Sequence, residues 1–224
     1  MTSVLVLDLD DTLYPERDYV RSGFAFVGQQ LFPMLEASAF FDAAWGLFEQ
    51  GHRGRIFDAA LAALGIAPDA ALIEKMVAAY RGHHPQIGLY SDAADFLRDY
   101  PVDGPLAMIT DGPVASQSAK IAALGLASRF NLLVLTDRWG SEFRKPHERG
   151  FVHVERQWPG IPASGFTYVA DNPLKDFVTP KARGWRTIRI AREGGEHRHR
   201  PMAGLYAADT VISDFGALRP EFAL

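Results

Sequence analysis

Asp8, Asp10 and Asp11 put three carboxylates within four positions, and Thr12 follows them. They close the run Val4-Leu5-Val6-Leu7, apolar and partly β-branched, which reads as a buried strand. Alternation along a strand turns Asp8 and Asp10 to one side and sends Leu9 back to the core. Two like charges held that close repel, and one resists ionisation unless a cation lies between them. A hard divalent ion answers that need, since Mg²⁺ takes carboxylate and carbonyl oxygens. The alternative is an acidic turn in which Asp11 and Thr12 cap the next segment.

The elements that must position these groups follow from periodicity. Four apolar stripes at helical spacing run from Tyr19 to Tyr80, broken at Pro33, at 51–54 and at Gly65, with Pro68 and Asp69 opening the fourth. Compact turns between them predict a small helical bundle with an aromatic core. From Gly88 the pattern alternates. Helices are expected over 91–100, with Ser91 as cap, and over 113–124, 146–158 and 173–183. Strands are expected over 105–109, 131–135, 166–170, 186–190 and 210–212. Glycine behind helices and proline near their starts predict an α/β class. The expected fold is a Rossmann-like parallel sheet sandwiched by helices, with an inserted small α-helical bundle. Residues 1–15 and 87–224 form the α/β core, and 16–86 the helical insertion.

Ligands of open α/β sheets bind beyond the carboxyl ends of the strands. Those ends carry Asp8 and Asp10, Thr110 with Asp111-Gly112, Lys145-Pro146 before a helix, and Asp171 with Asp176 in the next turn. In these four sets, taken in order, the sequence resembles the haloacid dehalogenase-like hydrolase superfamily, in its phosphatase branch. The insertion has the place and size of that superfamily's helical cap. The resemblance implies that Asp8 attacks phosphorus and forms an aspartyl-phosphate, and that Asp10 serves as acid and then base. It implies Mg²⁺ held by Asp8, the Asp10 carbonyl and Asp171, with Asp176 in support. Thr110 would hydrogen-bond a phosphoryl oxygen, and Lys145 would supply positive charge to it. The implied substrate is a small phosphorylated metabolite, a sugar phosphate or nucleoside monophosphate, with the cap as a lid.

Related chemistries are narrowed by single residues. Superfamily members that attack carbon–halogen bonds lack an acid at the Asp10 position. Those that cleave carbon–phosphorus bonds need a cap lysine, and the insertion holds only Lys75. A phosphosugar mutase is an alternative of the same superfamily. A phospho-receiver module is another, with its acceptor near Asp137 instead of on the first strand.

Composition agrees with an ordinary globular chain. The 224 residues are 48% hydrophobic and 22% charged, with a formal net charge of -4, which offers no general attraction to nucleic acid or acidic membranes. The absence of cysteine excludes disulfides, thiolate metal sites and a cysteine nucleophile. No run reaches the ~20 apolar residues of a membrane span, and a cytoplasmic protein is expected. Asp11 and Asp111 read as caps, and Asn172 as a cap or a metal-shell residue. His83-His84 reads as a hinge, and 192–201, with His197 and His199 among arginines, as a mobile surface loop. Arg17, Arg21, Arg53 and Arg55 are candidates for a second anionic group on the substrate.

Overall fold

A computed structural model describes residues 3–31 and 37–222. The chain divides into two compact units, residues 1–16 with 88–224, and residues 17–87.

The larger unit is built on a six-stranded parallel sheet: β1 (Val4–Leu7), β2 (Leu106–Thr110), β3 (Leu132–Leu135), β4 (Phe166–Ala170), β5 (Arg186–Ile190) and β6 (Thr210–Ile212). The spatial order is β3-β2-β1-β4-β5-β6. All residues of β1, β2 and β4 are buried, as central strands covered on both faces require. Register aligns the carboxyl ends: Leu7 lies opposite both Met108 and Val169, Thr110 opposite Leu135, and Ala170 opposite Arg189. Strand order reverses on either side of β1, so its carboxyl end opens at the switch point where a crevice forms.

The helices of the smaller unit are α1 (Glu16–Leu31, whose first residue belongs to the larger unit), α2 (Ala37–Glu49), α3 (Ile56–Ala63) and α4 (Ala70–Gly82). The larger unit adds α5 (Ser91–Asp99), α6 (Val114–Ala123), α7 (Arg149–Gln157) and α8 (Val178–Ala182). On one face of the sheet, Phe151 of α7 meets Tyr168 edge-on at 5.4 Å, and Trp185 stacks on Phe166 at 4.8 Å. In the smaller unit Phe24, Val27, Phe40, Ala60, Leu61 and Met76 form the core. A Cβ on Gly28 would stand 2.9 Å from the Ala37 carbonyl, so α1 and α2 need a glycine at that crossing. Asp69 caps α4, accepting the Leu72 N–H at 2.8 Å.

Several expected boundaries move. Tyr90 holds the position before α5 and Ser91 is its first helical residue. The helix expected from 146 starts at Arg149, because the His147 N–H closes a turn onto the Arg144 carbonyl. The helix expected over 173–183 shrinks to α8, since Asp176 accepts the Asn172 N–H and holds 172–176 in turns. The stripe break at Phe32-Pro33 lies outside the described residues.

Candidate active site

The Asp8 N–H continues the sheet ladder, donating to the Val169 carbonyl at 2.9 Å, while its carboxylate projects beyond the strand. Lys145 Nζ lies 2.7 Å from Asp8 Oδ1 and 2.8 Å from Asp176 Oδ1, and donates to the Tyr168 hydroxyl at 3.0 Å. All three ammonium hydrogens are therefore engaged. Nearest oxygens of Asp8, Asp171 and Asp176 lie within 4.8 Å of one another. Burial pushes Asp8 up to about 7, with Lys145 pulling down and Asp176 pushing up. Asp171 sits well above the usual carboxylate range, through burial and then the charges of Asp176 and Asp8. Three buried carboxylates sharing one lysine are a poor resting arrangement alone and a good donor set for a hard cation. The residues fit Mg²⁺.

Asp10 is held differently. Its Oδ1 takes the Tyr14 hydroxyl at 2.5 Å and Lys120 Nζ at 2.7 Å, and its Oδ2 takes the Gln117 amide at 2.9 Å. Burial alone would raise this carboxyl, but Lys120 and these hydrogen bonds hold it below the usual range. The same Gln117 nitrogen donates to Thr110 Oγ1 at 3.0 Å and, over a shorter contact, to the Asp111 carbonyl. Gln117 and Lys120 stand three apart on the buried face of α6, where the sequence predicts only a covering helix. Two polar side chains on an inward helical stripe were the available signal.

A cavity of about 110 Å³ opens here, lined by Asp8, Asp10 and Asp171 of the expected set. At ~30 Å³ per water it holds roughly three to four waters, the scale of a phosphoryl group. Thr110, Lys145 and Asp176 are not on its wall and lie buried. Glu16, Lys175 and His197 are on the wall and were not among the expected site residues. Burial and then Asp10 push Glu16 up to about 7.

The expected caps do more than cap. Asp11, at a positive φ of 49°, accepts the Glu16 N–H at 2.8 Å and so closes the first turn of α1, and it also lines the cavity. Asp111 joins three segments, accepting the Thr136 hydroxyl at 2.8 Å, the Lys145 N–H at 3.1 Å and Lys175 Nζ at 2.9 Å. Asn172 caps its own turn through the Leu174 N–H at 3.0 Å. The 192–201 stretch is an irregular, mostly exposed loop as expected, except that Arg192 is buried and His197 reaches the cavity. His83 is buried in the smaller unit, its Nδ1 2.6 Å from the Tyr80 carbonyl. Arg17 pairs with Glu49 at 3.1 Å and Arg55 with Asp58 at 2.9 Å. Asp137 is paired with Arg144 at 2.5 Å and lies off the cavity wall.

The fold and the side chains gathered at its strand ends are those that the resemblance to haloacid dehalogenase-like hydrolases implies. No protein-family model matches the chain. It is similar to glyceraldehyde 3-phosphate phosphatase of Methanopyrus kandleri, 26% identical over 204 residues, covering 86% of this chain and 85% of the relative. It is 32% identical over 162 residues to phosphoserine phosphatase of Thermus thermophilus, covering 71% of this chain and 60% of the relative. The magnesium-bound HAD-hydrolase YfnB of Bacillus subtilis shares the fold, with a TM-score of 0.67, 19% identity and coverage of 100% and 99%. The chain thus shares the fold of haloacid dehalogenase-like hydrolases, and the curated relatives it is similar to are phosphatases. Among the described residues no helix is long and apolar enough to cross a membrane.

Proposed function

We propose that this protein is a Mg²⁺-dependent phosphatase that hydrolyses a small phosphate monoester through an aspartyl-phosphate on Asp8. The observation that carries the reading is the division between two carboxylates two residues apart. Asp8 belongs to the Lys145–Asp171–Asp176 group, and Asp10 to the Lys120–Gln117–Tyr14 group. Environments that differ this much assign different tasks to chemically equal groups.

Asp8 Oδ attacks phosphorus, and the bond from phosphorus to the ester oxygen breaks. Asp10 gives a proton to that departing oxygen, then takes one from the water that attacks phosphorus and releases Asp8. At rest Lys120 favours the ionised form of Asp10, which suits the second half. A phosphate dianion entering the cavity pushes the same carboxyl upward and prepares the first half. Lys145, with its hydrogens engaged, acts on the phosphoryl group as a neighbouring charge and fixes the orientation of Asp8. Gln117 ties Thr110 to Asp10, so both keep one geometry. Asp8, Asp171 and the Asp10 carbonyl would hold Mg²⁺, with Asp176 behind, and the ion would screen the anionic nucleophile from the anionic substrate.

Residues 17–87 are proposed as the cap that reads the leaving group. The relatives act on glyceraldehyde 3-phosphate and phosphoserine by name, both three-carbon monoesters, so these join sugar phosphates and nucleoside monophosphates as candidates. Phosphate release from such a panel, with and without Mg²⁺, tests the reading. Turnover that is independent of divalent metal, or that survives in Asp8→Asn, would sink it.

A further inference from the structure

Residues 192–200 form no strand and belong to none of the four motif positions, yet they are held at both ends by buried arginines. Arg189, on β5, donates to the carbonyls of Arg200 at 2.8 Å and Arg198 at 3.2 Å, and over a shorter contact to that of His197. Arg192 donates to the Thr12 carbonyl at 2.9 and 3.3 Å and to Asp92 at 2.7 and 2.8 Å, with its guanidinium 4.1 Å from the Tyr90 ring centroid. Between them the Glu196 N–H reaches the Asp11 carboxylate at 3.4 Å. Desolvating two guanidinium groups to clasp backbone carbonyls is costly. Such an outlay makes sense where a loop must keep one side chain in place.

That side chain is His197. It alone of 192–200 lines the cavity, and its Nδ1 is buried without a hydrogen-bond partner. The rest of the cavity wall is six carboxylates, Asn172 and Lys175, so side-chain donors for an incoming anion are outnumbered. Lys175 keeps two ammonium hydrogens beyond the one on Asp111, and Asn172, whose side-chain oxygen accepts the Leu174 N–H, keeps its amide hydrogens, so His197 would add a third side-chain donor to these two. Lys145 and Thr110 stand behind the wall. An imidazole carries at least one N–H in either tautomer.

We propose that His197 contacts substrate, donating a hydrogen bond to a phosphoryl oxygen, and that Arg189 and Arg192 are the positioning residues that keep it there. The inference rests on the phosphatase reading for the identity of the anion. Calorimetric titration of inorganic phosphate into the full chain with Mg²⁺ tests it, comparing wild type, His197→Leu and His197→Gln. A hydrogen bond to a charged group corresponds to roughly ten- to hundredfold in affinity. His197→Leu is expected to lose that much at unchanged melting temperature, and His197→Gln, which keeps a donor, to recover most of it. His197→Ala gives the same comparison if the leucine variant folds poorly. Arg189→Met is expected to weaken phosphate binding in the same direction. Wild-type affinity in both the leucine and alanine variants overturns the proposal. A wild type that binds phosphate but hydrolyses no monoester overturns the phosphatase reading and leaves the His197 contact standing. A wild type that binds no phosphate overturns both.

Discussion

Lys145 Nζ sits 2.7 Å from Asp8 Oδ1 across 137 residues of chain, with the two side chains only 1% and 6% exposed. A buried lysine against a buried carboxylate is stable only while both are present, because removing one strands the other in a medium that resists charge. Burial would lower the Lys145 pKa, but Asp176 and Asp8 hold it well above the ordinary lysine value. In the proposed reaction the pair would fix the direction of the Asp8 carboxylate.

Lys145→Met should lower stability by roughly 3–5 kcal/mol, the usual result of breaking a buried ion pair. Thermal melting checks this. The loss should shrink when Mg²⁺ is added, since the cation replaces part of the missing positive charge. A melting temperature unaffected by the substitution would show that the pair carries no structural weight.

Mg²⁺ itself should stabilise the wild-type chain. A ligand at a hundred times its dissociation constant contributes about 2.7 kcal/mol. Melting with Mg²⁺ and with excess chelator measures the difference, and Asp171→Asn should abolish most of it. Equal melting in Asp171→Asn and wild type across the same Mg²⁺ range would remove Asp171 from the ligand set.

Gln117→Leu should cut kcat by roughly ten- to hundredfold at similar KM, because one amide nitrogen joins Asp10, Thr110 and Asp111. Steady-state kinetics on the best substrate of the panel gives the answer. A change confined to KM would assign Gln117 to binding and leave Asp10 unaffected by it.

Glu155 provides a pH test remote from the site. Hydrogen bonds from Arg183 hold its carboxyl below the usual range against partial burial, and the Trp185 indole N–H adds another at 2.9 Å. A depressed folded-state pKa contributes stability that is present above the unfolded value of about 4.3 and lost as pH falls through the folded one. The group is about a quarter exposed, so its contribution is roughly 1 kcal/mol after screening. Denaturant melts of wild type and Glu155→Gln should differ at pH 7 and converge below pH 4. Curves that stay parallel across that range would count against the pair.

Much of the fold could be read in advance. The four-residue run at 4–7, the alternation after residue 88, and glycine or proline at element ends all carry local periodicity, which depends on near neighbours in the chain. The Asp171–Asp176 segment was harder. Its helical look comes from apolar spacing, but the side chain of Asp176 takes its own turn's N–H and holds off the helix until Val178. The 192–201 stretch misled in part, for a related reason. Arg198 and Arg200 are exposed, as they look in sequence, whereas Arg192 and, on the preceding strand, Arg189 find backbone carbonyls and Asp92 to satisfy them in the interior.

By itself, the sequence determined which residues stand at the ends of strands, because strand length and alternation are local properties. It thereby set the carboxylates at 8, 10 and 171 at one edge of a sheet. Only the tertiary structure decided which charge answers which: Lys145 beside Asp8, Lys120 beside Asp10, and His197 on the cavity wall. The two lysine pairings each span more than a hundred residues. They depend on how buried groups neutralise one another in three dimensions, and no spacing along a chain encodes that.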